Sequence, residues 1–425
     1  MAGNFLTVGV ILFILASAVV ATALYLFPYE PKQPPKANDT GATKQGIQEV
    51  VNANNKFAFD LYSKSSKSPK YEDKNIFYSP HSIFAALTIT YEGARGQTAQ
   101  EMKSVLYLPE NAVLRPNFAA IYNSINEGSK DYELRTGNAL WVQHDFPLLK
   151  EYTSVVEEYY GGKATNLDFV KEPEKSRQTI NSFIEEQTNG KIKDLIPPEF
   201  INKLTRLVIT NAIYFKGTWV WEFDPKNTHE EDFKITQNNI VKVPMMCMYP
   251  KDEEFNYADL EELQILELPY KGEKISMLIL LPKNKSLSDF ESSLTLQKLE
   301  EYYKQMQKTK LEYICLPKFE FETKYFLNEI LEDLGMKTAF TNFTDFSGMT
   351  SNRGLYISTV IHQAYIKVDE KGTEAAGATA VVIAITAHMP EKVFKADHPF
   401  IFVIQQKDTG NILFIGRVVD PTRKG

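Results

Sequence analysis

The stretch Asp369–Pro390, DEKGTEAAGATAVVIAITAHMP, decides how the chain is to be read. It opens on charges, and from Gly372 to Ala380 every residue except Glu374 is small. Beyond Ala380 it becomes β-branched and apolar until Pro390. In an extended conformation alternate residues share a face. One face is then Thr373, Ala375, Gly377, Thr379, Val381 and Ile383, and the other is Glu374, Ala376, Ala378, Ala380, Val382 and Ala384. The first face is uncharged and suited to burial, and Glu374 falls on the second. Side chains this small let a strand slide between two others with little steric opposition, but give an exposed loop little to pack against. The segment suits a chain that is a loop in one state and a central strand in another. A small-residue loop with a single state is the alternative.

The surroundings read as one large globular body. Of 425 residues, 43% are hydrophobic and 24% charged, an ordinary globular balance, and the net charge of −7 argues against a general nucleic-acid footprint. Ala53, Phe57, Ala58 and Leu61 recur at helical spacing. Ser79-Pro80 reads as an N-cap and first-turn proline opening a buried helix over Ser82–Tyr91, ended by Gly93. Further helices are expected over Gln97–Leu106, Asn117–Asn126, Leu148–Tyr159 and Lys175–Thr188. The second half turns to strands. Leu204–Phe215 is an apolar run suited to a central strand covered on both faces. LQILELPY and KISMLILLP flank Lys271-Gly272-Glu273 as a hairpin, and Leu311–Glu322 reads as one further strand. PFIFVIQQ and NILFIGRVV close the chain around the turn Lys407-Asp408-Thr409-Gly410. Helices and hairpins without regular βαβ alternation predict an α+β fold with large antiparallel sheets.

The N-terminus differs in kind. Phe5–Phe27 is 23 residues without a charge, long enough to cross a bilayer core of about 30 Å as a helix. The triplets Ala16-Ser17-Ala18 and Ala21-Thr22-Ala23 leave a cleaved signal peptide open, whereas the length and the lack of a preceding Lys or Arg favour an uncleaved anchor. Lys32, Lys36 and Lys44 follow the span, which a strict positive-inside count would place in the cytoplasm. Residues 28–46, with Pro28, Pro31, Pro34 and Pro35, read as an extended tether. The expected organisation is residues 1–27 as anchor or signal, 28–46 as tether and 47–425 as the folded domain. Sequons at Asn38, Asn284 and Asn342 are compatible with export.

A search for catalytic chemistry finds no positive case. There is no G-x-S-x-G, H-E-x-x-H, C-x-x-C or phosphate-binding loop. His81, His144, His229, His362, His388 and His398 are scattered, with no two at ligand spacing, and neither a metal nor a cofactor is expected. Cys247 and Cys315 lie far apart and read as two separate thiols, with one long-range disulfide as the alternative.

Six separated stretches then converge. DEKGTEAAGAT (369–379) resembles the hinge of the reactive-centre loop of serpins, and FKADHPFIFVI (394–404) resembles that family's C-terminal signature. NIFYSPHSIFAALTITYEGARGQTAQEM, VITNAIYFKGTWVWEFDPKNTHEEDF, LELPYKGEKISMLILLP and LPKFEFE resemble its other motifs, in the family's order. The likeness runs from about Ile47 to Gly425, leaving the N-terminal span and tether outside it. It implies helices packed around three β-sheets with an exposed loop at about residues 370–393. It also implies a metastable suicide-substrate inhibitor of serine proteases, not an enzyme. The protease cuts the loop and forms an acyl-enzyme, and the freed hinge inserts into the main sheet before deacylation. The sixteen steps from Glu370 to Thr386, at about 3.3 Å each, span on the order of 50 Å, enough for such a strand.

By the same resemblance the hinge comprises Glu370, Gly372, Thr373, Glu374, Ala375, Ala376, Gly377, Ala378 and Thr379. Ser79, Ser82, Asn211 and His362 form a shutter beneath the sheet, and Trp219, Lys318 and Glu370 a breach at its top. The family's spacing from the hinge glutamate places the scissile bond at Thr386–Ala387, whereas a count back from Pro399-Phe400 points nearer His388. An uncharged Thr386 after Ile383, Ala384 and Ile385 suits elastase-like or subtilisin-like enzymes. The expected partner is a target protease held as a covalent acyl complex by a monomeric, extracellular inhibitor, membrane-anchored through residues 5–27 or secreted. A non-inhibitory carrier or chaperone, or an inhibitor of cysteine proteases, is the alternative. No polyanion site is expected, because Ala99–Asn126 holds only Lys103 and Arg115 as cations.

Overall fold

The apolar run at Leu204–Phe215 builds β5 (Leu207–Thr218), the central strand of a seven-stranded sheet. Its side chains alternate between two cores, as a strand covered on both faces requires. Leu207, Ile209, Ile213 and Phe215 face the larger core, while Val208 and Ala212 pack with Trp141, Ile180, Ile184 and Ile361. Residues 36–127, 131–284, 286–373 and 392–424 are described by this computed structural model.

The main sheet also holds β2 (Tyr132–Thr136), β3 (Ala139–Gln143), β4 (Lys163–Leu167), β13 (Phe319–Phe326), β14 (Ile357–Asp369) and the two-residue β15 (Gly372–Thr373). Its order is β13-β14-β15-β5-β3-β4, with β2 also paired to β5. A second sheet contains β1 (Ile76–Tyr78), β8 (Glu254–Asp259), β9 (Leu263–Pro269), β10 (Ile275–Pro282), β11 (Gln307–Lys310), β17 (Phe400–Gln406) and β18 (Ile412–Val418). Both hairpins read from the sequence are there, β9 with β10 through Leu266↔Ile279 and β17 with β18 through Val403↔Ile415. A small third sheet runs β16-β12-β7-β6, from β6 (Thr228–Thr236), β7 (Asn239–Met248), β12 (Ile314–Pro317) and β16 (Phe394–Lys395).

The described helices of the first half are α1 (Lys44–Ser66), α2 (Pro80–Glu92), α3 (Gly96–Val105), α4 (Asn111–Asn126), α5 (Lys150–Tyr160) and α6 (Pro173–Gln187). The start of α2 follows from its sequence: Ser79 accepts the Ser82 amide proton at 3.1 Å, Pro80 occupies the first turn, and Gly93 closes the helix. The α+β class, with helices around three sheets, is as expected.

Cys247 and Cys315 are not separate thiols. They are register partners on β7 and β12 and form a disulfide. Their separation of 68 residues hid a contact that strand pairing alone creates. The stretch Leu311–Glu322 is two strands in two different sheets, because Pro317 ends β12 and Lys318 turns to donate its backbone N–H to Pro244 at 2.9 Å. Helix α4 begins at Asn111, six residues before the expected Asn117, and carries Pro116 inside it. The folded body begins ahead of Ile47. Ala37 is buried, Asn38 donates its backbone N–H to Glu158 O at 2.7 Å, and Thr43 caps α1. The part of the expected tether from residue 36 to 46 therefore belongs to the body. The apolar span Phe5–Phe27 lies outside the described residues; among those described, no helix is long and apolar enough to cross a membrane.

Candidate functional site

The chain leaves β14 at Asp369 and turns back at once into β15. Lower in the sheet β14 pairs directly and in parallel with β5, from Ile357↔Leu207 to Ala364↔Ile213. Higher up, β15 sits between them: Thr373 pairs with Val368 on one side and Gly217 on the other, and Gly372 with Asp369 and Thr218. The first two residues of the small-residue segment are thus already strand, inside the sheet. The approach is close enough to demand glycine. A Cβ on Gly372, whose φ is +155°, would stand 2.0 Å from the Gly217 carbonyl oxygen. Thr373 is buried, and its Oγ1 lies 2.7 Å from the Tyr270 hydroxyl.

The turn between the strands is tied down by the expected breach residues. Lys318 Nζ donates to both Glu370 carboxylate oxygens, at 3.0 and 2.8 Å, and Thr228 Oγ1 donates to Oε1 at 2.8 Å. The Glu370 side chain is only 8% exposed, against 35% for Lys318. Burial pushes the Glu370 carboxyl upward, but the hydrogen bonds from Lys318, the backbone and Thr228 outweigh it and hold it below its ordinary range. Trp219 donates its indole N–H to Asp369 O at 3.2 Å and its backbone N–H to Lys371 O at 2.8 Å. Phe223 N–H reaches Glu370 O at 2.8 Å.

The far end of the segment is fixed to a different sheet. Strand β16 runs parallel to β12, with Phe394 opposite Ile314 and Lys395 opposite Cys315. Lys392 O accepts from Glu312 N at 2.9 Å, and Gln264 Nε2 donates to Val393 O at 3.0 Å. The disulfide binds the strand that holds this anchor, since Cys315 faces Lys395 on one side and Cys247 on the other. Residues 374–391 are outside the described residues, and with them Glu374, Ala375, Ala376, Gly377, Ala378, Thr379, Thr386 and Ala387.

Beneath the directly paired part of the sheet, Ser79, Ser82, Asn211 and His362 come together, all fully buried. His362 Nε2 accepts the Ser79 backbone N–H at 3.1 Å, which leaves Nδ1 to donate to Asn211 Oδ1. Asn211 Nδ2 donates to Ser82 Oγ at 2.5 Å, and Ser79 Oγ donates to Leu413 O at 2.6 Å. Burial lowers the His362 pKa to about 3, so the ring is neutral. The cluster joins β14, β5 and α2, and opening β14 from β5 would break it.

Sequence reasoning missed three participants. Asn138, between β2 and β3, accepts from Ser82 Oγ at 2.8 Å and from Asn211 Nδ2. Tyr270 and Thr228 hold the hinge from other sheets. Asn138 lies in none of the stretches that carry the resemblance; Thr228 and Tyr270 lie inside two of them, but as single polar residues at strand ends whose partners only tertiary packing supplies. Among the described residues no cluster of His, Cys, Asp and Glu could hold a metal.

This architecture has known counterparts. The family profile described as Serpin (serine protease inhibitor) matches residues 52–421. A serpin-like protein of Thermococcus kodakarensis is 46% identical over 385 residues, covering 89% of this chain and 87% of its own length. One from Methanosarcina mazei is 42% identical over 394 residues, covering 92% and 91%. The leukocyte elastase inhibitor of Bos taurus is 37% identical over 382 residues, covering 88% and 100%. Uncleaved ovalbumin superposes with a TM-score of 0.78 at 29% identity, covering 88% of this chain and all of that one. Human thyroxine-binding globulin in complex with thyroxine gives 0.78 at 30%, covering 89% and 100%.

Proposed function

This chain belongs to the serpin family, and from that premise we propose that it is a suicide-substrate inhibitor of serine proteases of the elastase-like or subtilisin-like kind. One observation carries the reading: the hinge residues Gly372 and Thr373 already occupy strand positions between β14 and β5, while the chain beyond them is anchored on another sheet at Phe394. A cut between the anchors frees the hinge end to continue a strand that has begun. The continuation, Ala375-Ala376-Gly377-Ala378, is small and uncharged, which separates this chain from a carrier of the same fold with an obstructed hinge. The buried cluster of Ser79, Ser82, Asn211 and His362 serves as the shutter that keeps β14 on β5 until then. Opening it strands buried polar groups, which costs about 1–3 kcal/mol for each one left unpaired.

The inhibitor acts outside the cytoplasm, held by residues 5–27 or released from them. The Cys247–Cys315 disulfide supports an oxidising compartment. Sequencing the mature N-terminus distinguishes the two forms.

Incubation with elastase, subtilisin and trypsin tests the function. A denaturant-resistant complex with the first two, hardly any with trypsin, and a released fragment beginning at Ala387 are expected. Nicking the loop is also expected to raise the melting midpoint, because about a dozen new ladder hydrogen bonds form at roughly 0.5–1.5 kcal/mol each. No complex with any of the three and an unchanged midpoint would overturn the proposal.

A further inference from the structure

The contact that holds Thr373 in the sheet assigns a task to Tyr270, a residue of the stretch LELPYKGEKISMLILLP to which the sequence alone gave no role. Tyr270 follows β9 by one residue and is completely buried. Its ring stacks on Trp219 at 4.4 Å and meets Phe215 edge-on at 4.9 Å, and its backbone bridges Trp219, so the ring has one place to be. It lies over Gly217, the register partner of Thr373. A Cβ at Gly217 would stand 2.6 Å from the Tyr270 ring. A bare backbone there is what lets the hydroxyl reach Thr373 Oγ1 at 2.7 Å. Two glycines, Gly217 and Gly372, thus clear the space in which a tyrosine from the second sheet meets a threonine from the hinge.

We propose that Tyr270 is a positioning residue that seats the hinge threonine as the first rung of the inserted strand before the loop is cut. The proposal rests on the inhibitory reading above. After cleavage, insertion competes with deacylation. An unseated hinge must first order its turn and dehydrate the Thr373 hydroxyl in a buried slot, whereas a seated hinge extends a pairing already made. Tyr270 therefore biases the branch toward trapping.

Thr373→Val and Tyr270→Phe each remove one hydroxyl with little change of shape, leaving its partner buried and unpaired. Removing both leaves an apolar contact, which is close to neutral. The test compares both single variants, the double variant and the wild type. Amide hydrogen exchange at Gly372 and Thr373 is read on the uncut protein, and the number of inhibitors cleaved per elastase trapped is read on mixing. In each single variant amide protection falls about tenfold and the cleaved-to-trapped ratio rises several-fold, and in the double variant both return toward wild type. Single variants that behave as wild type overturn the role of Tyr270. A double variant as impaired as the worse single variant overturns it too, since packing rather than the hydrogen bond would then matter. If wild type traps no protease, the inhibitory reading fails, and the exchange measurement alone decides whether Tyr270 seats the hinge.

Discussion

The same two strands, β14 and β5, are in different conditions at their two ends. In the lower part they pair directly, and a connected set of buried polar groups locks them to α2. At the top they are already parted by two residues of a third strand, between glycines and under an aromatic pair. The closed end is held by groups that lose their partners on opening. The open end is already bridged, with Thr373 paired to Val368 on one side and Gly217 on the other and its hydroxyl beside that of Tyr270. Under the proposed inhibitory function such a sheet would open from the top, where two residues already part the strands, and resist at the bottom, where opening leaves buried polar atoms unpaired.

The largest expected effect comes from blocking the open end. Thr373→Arg would force a charge into a fully buried slot, so the loop is still cut but trapping falls at least about tenfold, to the point where the inhibitor behaves as a substrate. Titrating elastase against the variant checks this, and wild-type stoichiometry would break the contrast between the two ends.

Next comes the closed end. His362→Ala leaves the Ser79 N–H and Asn211 Oδ1 without their partner, and a loss of about 3 kcal/mol in unfolding free energy is expected. Denaturant melts measure it. Protonation attacks the same site more gently. Burial lowers His362 to about 3 and His81 to about 4, from 6.5. The unfolded chain therefore binds more protons than the fold below pH 6.5. The stabilisation is complete above that pH, is lost progressively as pH falls from 6.5 toward the folded values, and falls no further below them. By pH 5 each histidine accounts for about 2 kcal/mol. Melts between pH 7 and pH 4 should show the decline, and a shallower decline between pH 6.5 and pH 5 in the His81→Asn, His362→Asn double variant would attribute the histidine share.

The turn between the ends is worth less. Lys318→Met removes the cation from Glu370, but Lys318 is partly exposed and Thr228 remains, so a loss of about 1 kcal/mol or less is expected, read as a slightly lower melting midpoint. Smallest of all is the response to polyanions. Lys103 is already paired with Glu110, and Arg115 makes a two-pronged contact with the buried Glu92, so neither cation of α3 and α4 is available. Heparin should leave the inhibition rate unchanged, and a salt-sensitive acceleration would show that a charged surface elsewhere takes part.

Much of this could be read in the linear chain. Helical spacing marked Ala53–Leu61 in α1, a continuous apolar run marked β5, the Ser79-Pro80 cap marked the start of α2, and apolar runs around turn signals marked both hairpins, because burial and chain reversal leave their record in the local sequence. The small side chains that begin at Gly372 pointed to a segment suited to entering a sheet, and its first two residues, Gly372 and Thr373, are strand in the main sheet. The resemblance supplied Ser79, Ser82, Asn211 and His362, and the fold brought them into one hydrogen-bonded set. Other features could not be read this way. Pro317 divides one apolar run between two sheets, and Cys247 meets Cys315 only because β7 pairs with β12. Asn138 lies outside every quoted motif, Thr228 and Tyr270 lie inside two of them with no role legible there, and each has its role from a partner 56 or more positions away. Periodicity records which way a side chain faces, and that is a local property of the backbone. What the side chain meets there is set by the pairing of distant strands, and so the tertiary structure alone decided where the sheet is locked and where it already stands open.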